Sequence, residues 1–250
     1  VQMDPVEPIP ATKLVPPRAP RRLIPRDALL ARLVQARRRR CVMIRSAAGS
    51  GKTSLLVAAR QALLALDMDV AWLSLSAEDD NASRFFDCLL ASLAQVDAAM
   101  VREAMMLTGR DSDDGANELR VIALVQGIAA RPRELTLVLD DLHYLDDRQI
   151  GRALQWLLDY APDHFHLVVA SRQEPPFSLG ALRARDQLAE FGLDDLLFSQ
   201  DETERFLKQR RESIGRRDAL AMHRLTDGWV AGLQLLTVDV GRKPRAGPPR

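Results

Sequence analysis

The chain has 250 residues, of which 47% are hydrophobic and 28% are charged, and its formal net charge at pH 7 is +1. This length and hydrophobic content suffice for a full core, either in one large domain or in one domain with a smaller companion. The nearly balanced charge argues against a generally basic nucleic-acid-binding protein.

Cysteine usage and hydropathy exclude further classes of protein. Cys41 and Cys88 lie in apolar patterns and are too few for a disulfide scaffold or a metal site, so they indicate reduced core thiols. The sequence contains no apolar run of roughly 18 residues, and Val1 to Pro10 lacks the layout of a signal peptide. We therefore expect a cytoplasmic protein with no membrane partner.

The N-terminal region begins with a segment rich in proline. Six prolines in residues 1–22 forbid a regular helix and predict an extended arm. Asp27 is then expected to cap a helix that ends in an arginine-rich stretch. Ten arginines fall between Arg18 and Arg45. They are open to two interpretations: a solvated helix end, which we favour, or a patch for phosphate or nucleic acid.

Short apolar segments alternate with helical patterns through the middle of the chain. Strands are predicted at 41–45, 70–75, 135–139 and 167–170, with one more after Leu188. Helices are predicted from the end of the first strand to Leu66 and at 82–96, 116–130 and 148–160. Alternation of this kind indicates an α/β domain, over residues 23–198, whose parallel sheet is covered by helices on both faces.

The last part of the chain reads as helical only. Ser199 to Glu202 forms a capping box that begins a small helical subdomain over 199–240, and residues 241–250 are predicted to be a disordered tail. The acidic stretch Asp111 to Gly115 resembles a calcium loop but lacks the required ligand spacing, so a surface loop is expected there.

The segment Ser46 to Thr53, with the sequence SAAGSGKT, lies between a strand pattern and a helix pattern. This context is typical of a phosphate-binding P-loop, in which glycines let main-chain N–H groups point at an anion and a helix N-terminus adds positive partial charge. Ser46 departs from the usual first glycine of the motif. The predicted nucleotide-binding residues are Ala47, Ala48, Gly49, Ser50, Gly51, Lys52, Thr53 and Ser54, with Lys52 on the β- and γ-phosphates.

Acidic residues follow the buried strand at 135–139. Asp140 is predicted to hold Mg²⁺ together with the Thr53 hydroxyl, and Asp141 is predicted to polarise the water that attacks the γ-phosphate. Arg172 follows the next strand and is interpreted as a γ-phosphate sensor, with a surface ion pair as the alternative. His143 either touches this site or packs on a neighbour, and Trp72, Trp156 and Trp229 are interpreted as core or domain-interface aromatics.

Taken together, these motifs resemble the nucleotide-binding region of the MalT-like, large LuxR-type transcriptional regulators, a group of the signal-transduction ATPases with numerous domains (STAND). The segments that carry the resemblance are Thr12 to Leu14, Pro25 to Leu30, the P-loop, Ala71 to Leu75, Leu139 to His143, Ala170 to Arg172 and Asp227 to Leu235. The last segment, with its Gly-Trp pair, is the most discriminating because P-loops occur in many families.

The resemblance implies a five-stranded, mainly parallel P-loop NTPase sheet in the order 5-1-4-3-2, in which the strand before Arg172 lies between those of the P-loop and Asp140. It also implies that Arg26 lies near the adenine. By analogy with the family, ADP holds a resting monomer, whereas ATP and an unidentified inducer give a form that self-associates and activates transcription. Contact with DNA would need a domain that this chain does not contain.

The function expected from the sequence is therefore a regulatory switch that binds ATP and ADP with Mg²⁺ and hydrolyses ATP slowly. The alternative is a P-loop metabolic kinase or a nucleic-acid-directed ATPase. A kinase would need an arginine-rich lid after a later strand, whereas the basic segment of this chain precedes the P-loop. GTP is not expected, since no Asn-Lys-x-Asp segment occurs.

Overall fold

The computed structural model describes residues 8–18, 23–107, 114–211 and 214–239. Five strands form one sheet, and every strand pair in it is parallel. They are β1 (Cys41–Arg45), β2 (Asp69–Ser74), β3 (Leu135–Asp140), β4 (Phe165–Ser171) and β5 (Leu188–Phe191). Their order across the sheet is β2-β3-β4-β1-β5, which confirms the predicted arrangement.

Helices cover both faces of the sheet and continue beyond it. Those in the α/β part are α1 (Asp27–Gln35), α2 (Lys52–Ala65), α3 (Ala82–Ala94), α4 (Ala98–Met106), α5 (Asp114–Ala129), α6 (Arg148–Tyr160), α7 (Gly180–Ala184) and α8 (Leu193–Leu196). Three more follow: α9 (Gln200–Arg210), α10 (Arg216–Thr226) and α11 (Val230–Asp239).

The central strands are buried on both faces, which explains their continuous apolar sequence. Along β1, Cys41 and Met43 pack into the core beneath α3 to α6, whereas Val42 and Ile44 pack into the core beneath α1 and α2. Every residue of β3 and β4 is buried. The sheet is therefore a rigid platform whose carboxyl edge carries the polar residues that follow β1, β3 and β4.

Of the two helix starts for which the sequence predicts capping residues, the capping box at the start of α9 is confirmed: Ser199 Oγ accepts from the N–H of Glu202, and the Glu202 carboxylate accepts from the N–H of Ser199. Asn81 caps α3 by accepting from the N–H of Arg84, and Asp147 caps α6 by accepting from the N–H of Gln149. Asp27, however, is the first residue of α1 and makes no capping hydrogen bond. The reason is that Arg26 takes the cap position, and its side chain is occupied elsewhere.

Helices α9 to α11 have a small core of their own. Phe198, Phe206, Leu207 and Leu233 are buried there, together with Ile24 from the segment before α1. The predicted domain limits at 22, 198 and 240 stay predictions. Residues 111–113 of the acidic stretch and the predicted tail lie outside the described residues, while Gly115 belongs to α5. Within the described ranges, no helix has both the length and the apolar character needed to cross a bilayer.

Candidate nucleotide site

The P-loop follows β1 and turns sharply into α2. Gly49 and Gly51 have φ values of 71° and 93°, which L-residues with side chains rarely adopt. Leu55 donates the first N–H of the helix to the Gly51 carbonyl, so the N–H groups of Lys52, Thr53 and Ser54 have no partner within α2. The buried hydroxyl of Ser50 also has no hydrogen-bond partner among the described residues. These unpaired donors fit an anion held by the loop.

The Lys52 ammonium closes the loop on itself. Its Nζ donates to the carbonyl oxygens of Ser46 and Ala47 at 2.7 and 2.8 Å. Burial lowers the pKa of Lys52, and the charge of Arg172 adds to the lowering, whereas Asp141 and Asp140 oppose it. In this structure the Lys52 ammonium group is therefore hydrogen-bonded only to neutral carbonyl oxygens within the described chain. A charged phosphate group is a stronger acceptor and would replace them.

Thr53 and Asp140 face one another across the sheet edge. The Thr53 hydroxyl donates to Asp140 Oδ2 at 2.8 Å. Burial raises the pKa of Asp140 to about 6, because its carboxyl group is only 2% exposed and the Thr53 hydrogen bond offsets only part of that cost. A hydroxyl and a buried carboxylate are oxygen ligands of the kind that Mg²⁺ takes, so this pair fits the ion.

Asp141 leaves the strand in a left-handed conformation with φ 60°. Such a backbone is unusual for a residue other than glycine and is often found at functional sites. Its Oδ1 lies 3.7 Å from Nδ1 of His143. Both ring nitrogens of His143 are buried without a hydrogen-bond partner in the described part of the chain. Burial lowers the pKa of His143, with Arg172 contributing, so the ring is neutral at pH 7.

Arg172 follows β4, between the strands that lead to the P-loop and to Asp140. Ser46 at the start of the P-loop donates its N–H to the Ser171 carbonyl at 3.2 Å, which ties the two strand ends together. The side chain of Arg172 is exposed, and its charge acts on both Lys52 and His143. Within the ranges that the structure describes, its guanidinium has no salt bridge, which leaves it available to an anionic ligand.

Helix α11 contacts the P-loop directly, which sequence reasoning did not foresee beyond an interface role for Trp229. Trp229 Nε1 donates to the Ala48 carbonyl at 3.0 Å, and the N–H of Ala231 donates to the Gly49 carbonyl at 3.1 Å. A Cβ atom on Gly49 would lie 2.4 Å from that of Ala231. The loop glycine is therefore needed for its backbone angle and also for the close approach of α11.

Gly228 sets the direction of this contact. It has φ 78°, and a Cβ there would lie 2.2 Å from the Phe198 carbonyl oxygen. Phe198 in turn donates its N–H to the Gly228 carbonyl at 2.9 Å. Glycine is thus the residue that lets the turn before α11 lie against the start of the helical subdomain, and the following Trp229 then points at the P-loop.

A cavity of about 260 Å³ opens beside the P-loop. Its walls come from the segment before α1 and from α1 itself, from the end of the P-loop and the start of α2, and from the helical subdomain. The main contributors are Ile24, Arg26, Ser50, Ser54, Phe206 and Val230. A mostly apolar pocket next to a phosphate loop fits the nucleoside part of a nucleotide. No sequence signal singled out Phe206 or Val230, because apolar residues on a helix are most often core.

Arg26 lies in the wall of this cavity, but its guanidinium is engaged by the protein. It donates to the carbonyls of Asp195, Leu196 and Leu197 and to the Glu202 carboxylate, which is 2.9 Å from Nε. The predicted proximity of Arg26 to the adenine stays a prediction. In this structure the Arg26 side chain fastens the segment before α1 to the junction of α8 and α9.

Comparison with known proteins agrees with this geometry. The family model described as "AAA ATPase domain" matches residues 22–170, and the chain belongs to this family of ATPases. Membership implies nucleotide binding.

The curated relatives include regulators and a kinase. The chain is 31% identical to the HTH-type transcriptional regulator MalT of Cronobacter sakazakii over 217 residues, which cover 86% of this chain and 23% of that protein. It is 31% identical to the serine/threonine-protein kinase PknK of Mycobacterium tuberculosis (strain ATCC 25618 / H37Rv) over 237 residues, 94% of this chain and 21% of that protein. The chain thus spans about a fifth of the length of these relatives. The resemblance to MalT-like regulators is confirmed.

Among solved structures, the fold is similar to that of a STAND protein with a tetratricopeptide repeat sensor from Pyrococcus horikoshii. The TM-score is 0.60 at 15% identity, and the match covers 88% of this chain and 30% of that one. At this identity the likeness shows the fold alone.

Proposed function

We propose that this chain is the ATP-binding and ATP-hydrolysing switch domain of a longer regulatory protein, in which the ADP form rests and the ATP form self-associates. The observation that carries the proposal is the pair of hydrogen bonds from Trp229, just before α11, and from Ala231 in α11 to the carbonyls of Ala48 and Gly49. The loop that would hold the phosphates is also the surface on which the helical subdomain docks.

The coupling follows from this shared loop. Phosphates in the P-loop would draw Lys52 away from the carbonyls of Ser46 and Ala47, and the loop would adjust to the number of phosphates that it holds. Since Ala48 and Gly49 accept from α11, a change in their position alters the free energy of subdomain docking. A ligand shifts a conformational equilibrium only through such a difference in contacts between two states.

The hydrolytic roles are assigned from position. Thr53 and Asp140 would hold Mg²⁺, which when bound neutralises phosphate charge. Asp141 orients and polarises the attacking water. The neutral ring of His143 lies next to Asp141, and its nitrogens have no hydrogen-bond partner among the described residues. One of these nitrogens binds the same water or the γ-phosphate. Arg172 contacts the γ-phosphate, where its guanidinium, which makes no salt bridge with the described residues, stabilises the charge that develops during transfer.

The longer protein is proposed to be a transcriptional regulator, because the MalT relatives are named as such. A response to an inducer is proposed from the resemblance to the family alone. DNA contact belongs to parts outside this chain. The nucleotide is proposed to be an adenine nucleotide.

The proposal is tested by measuring self-association and phosphate release together. With the non-hydrolysable analogue AMP-PNP, light scattering of the longer protein should show a larger assembly than with ADP. Asp141→Asn should keep nucleotide affinity, slow turnover at least about tenfold, and prolong the assembled state in ATP. Equal size in both nucleotides contradicts the switch, and phosphate release that depends on DNA or on an added metabolite favours the alternative class of P-loop enzyme.

A further inference from the structure

The N-terminal arm is pinned to the end of β2 by a buried ion pair. Lys13 Nζ lies 2.7 and 2.6 Å from the two carboxylate oxygens of Asp79, and it donates to the Ser76 hydroxyl at 2.7 Å. Asp79 is fully buried. Arg84 Nε lies 3.8 Å from the same carboxylate, and Cys88 Sγ lies 3.6 Å from it. Lys13 is therefore the close cationic partner of this acid.

The ion pair stabilises the single-turn 3-10 helix Ala77–Asp79, which forms the turn after β2. Asp79 accepts from the N–H and hydroxyl of Ser76, which closes the short turn Ala77–Asp79. Burial raises the pKa of Asp79, but the hydrogen bonds from Lys13 and Ser76 outweigh burial and hold that pKa below its ordinary value. A buried carboxylate that loses its cation is costly, so the turn depends on the docked arm.

The residue after Asp79, Asp80, connects this turn to the nucleotide site. Asp80 Oδ1 accepts the main-chain N–H groups of Asp146 and Asp147 at 2.8 and 2.9 Å. These residues end the segment 141–147, which begins with Asp141 and includes His143. At its other end the segment is fastened where the Asp141 N–H donates to Asp140 Oδ1 at 3.0 Å. The segment that carries both candidate hydrolytic groups is thus fastened at each end, and between the ends Gln173 Nε2 donates to the His143 carbonyl at 3.3 Å. The contact with Asp80 is the one that leads back to Lys13.

We propose that Lys13 and Asp80 are positioning residues for hydrolysis: the docked arm holds the turn after β2, and the turn holds the segment 141–147 so that Asp141 and His143 face the γ-phosphate. This role rests on the proposed function. Neither side chain lines the cavity beside the P-loop, so both act on turnover and not on nucleotide affinity.

Phosphate release and ADP affinity are measured for Asp80→Ala, which leaves the Lys13–Asp79 pair intact, and for Lys13→Met. Exposed residues give the matched controls Asp163→Ala and Lys208→Met. We expect both test variants to lose about tenfold or more in turnover at saturating ATP, since small displacements of catalytic groups are costly, with ADP affinity unchanged within about twofold. Asp80→Asn, which keeps an acceptor oxygen, should recover most of the turnover.

A purely structural role would lower the unfolding temperature and leave turnover at saturating ATP equal to that of the controls, which overturns the proposal. A proportional loss of affinity and turnover overturns it as well. Amide hydrogen exchange gives a second measurement: Asp146 and Asp147 should exchange faster in both test variants, and unchanged exchange contradicts the connection to the arm. A wild-type chain that binds nucleotide and never releases phosphate instead overturns the hydrolytic part of the proposed function, and the positioning role with it.

Discussion

Trp229 donates its indole N–H to the main-chain carbonyl of Ala48 at a distance of 3.0 Å, across 181 residues of sequence. A side chain of the helical subdomain is therefore hydrogen-bonded to the phosphate loop itself. In the proposed switch this contact would connect bound phosphates to the docking of the helical subdomain, because both would act on the position of the Ala48 and Gly49 carbonyls.

Replacing Trp229 by phenylalanine tests this connection. Trp229→Phe keeps an aromatic ring but removes the donor, and a hydrogen bond of this type contributes about 1 kcal/mol. We expect α11 to undock more readily, which faster amide exchange in Val230–Asp239 would report, with the rest of the fold unchanged. Trp156→Phe, on α6, is the matched control. Equal exchange in the two variants would show that the indole bond does not hold the subdomain.

Gly49→Ala tests the close approach of α11 from the other side. The new methyl group would lie 2.4 Å from Ala231 Cβ, and the backbone at φ 71° disfavours alanine. We expect α11 to be displaced and nucleotide affinity to fall at least about tenfold, since the loop itself is strained. Gly192→Ala is the control, because a Cβ there meets nothing within 4 Å. The measurements are ADP titration and α11 exchange, and two variants that behave alike would count against the packing described.

Arg26→Lys tests the fastening of the helical subdomain. Lysine cannot reach three carbonyls and the Glu202 carboxylate with one forked group. We expect a loss of about 2 kcal/mol in the free energy of unfolding, because the arginine is mostly buried. Arg32→Lys is the comparison: the side chain of Arg32 is 57% exposed, it pairs with Asp195, and its replacement should cost below about 1 kcal/mol. Denaturant unfolding of both variants decides the matter, and equal costs would argue against the role of Arg26.

Sequence patterns predicted the central strands of the sheet well because those strands are buried on both faces, and such strands must be continuous apolar runs. The position of the P-loop and of Asp140 at one edge of the sheet was likewise predictable, since each lies at the carboxyl end of a parallel strand, whereas their roles stay predictions. The contacts of Arg26 with Asp195 and Glu202 were not predictable, because one arginine among ten in its region carries no local signal of a partner about 170 residues away.

Asp140 provides a prediction about pH. Its pKa in the folded chain is raised to about 6, above the ordinary value of 3.8, so the folded state binds more protons than the unfolded state between these pH values. Stability of the ligand-free chain therefore falls as pH rises through this window. Asp140→Asn removes the effect and keeps an acceptor for Thr53.

Thermal unfolding of the ligand-free wild type and of Asp140→Asn is the measurement. The variant should be more stable at pH 7, by up to about 3 kcal/mol for a shift of this size, and the difference should disappear near pH 4. A variant that is less stable at pH 7 would contradict the free-energy cost assigned here to burying the charged Asp140 carboxylate.

The surroundings of the His143 ring and the apolar wall of the cavity could not be predicted from the sequence. A histidine two residues after an acid has many possible surroundings, and only the left-handed turn at Asp141 puts the ring next to that acid. Phe206 and Val230 look like ordinary helix-core residues until the helical subdomain is folded back against α2. Both features depend on tertiary packing and not on local pattern.

Equilibrium titration of ADP and ATP into the wild-type chain and Lys52→Ala, with Lys208→Ala as the control lysine, tests the central claim most directly. We predict that both nucleotides bind, and that the control variant has the same affinity as the wild type for each of them. Lys52→Ala should lose about a hundredfold or more in affinity, because in the proposed site its ammonium group would be the main cationic contact to the phosphates. Equal affinity of the wild type and Lys52→Ala, or no binding by the wild type, would contradict the assignment of this loop as the phosphate site.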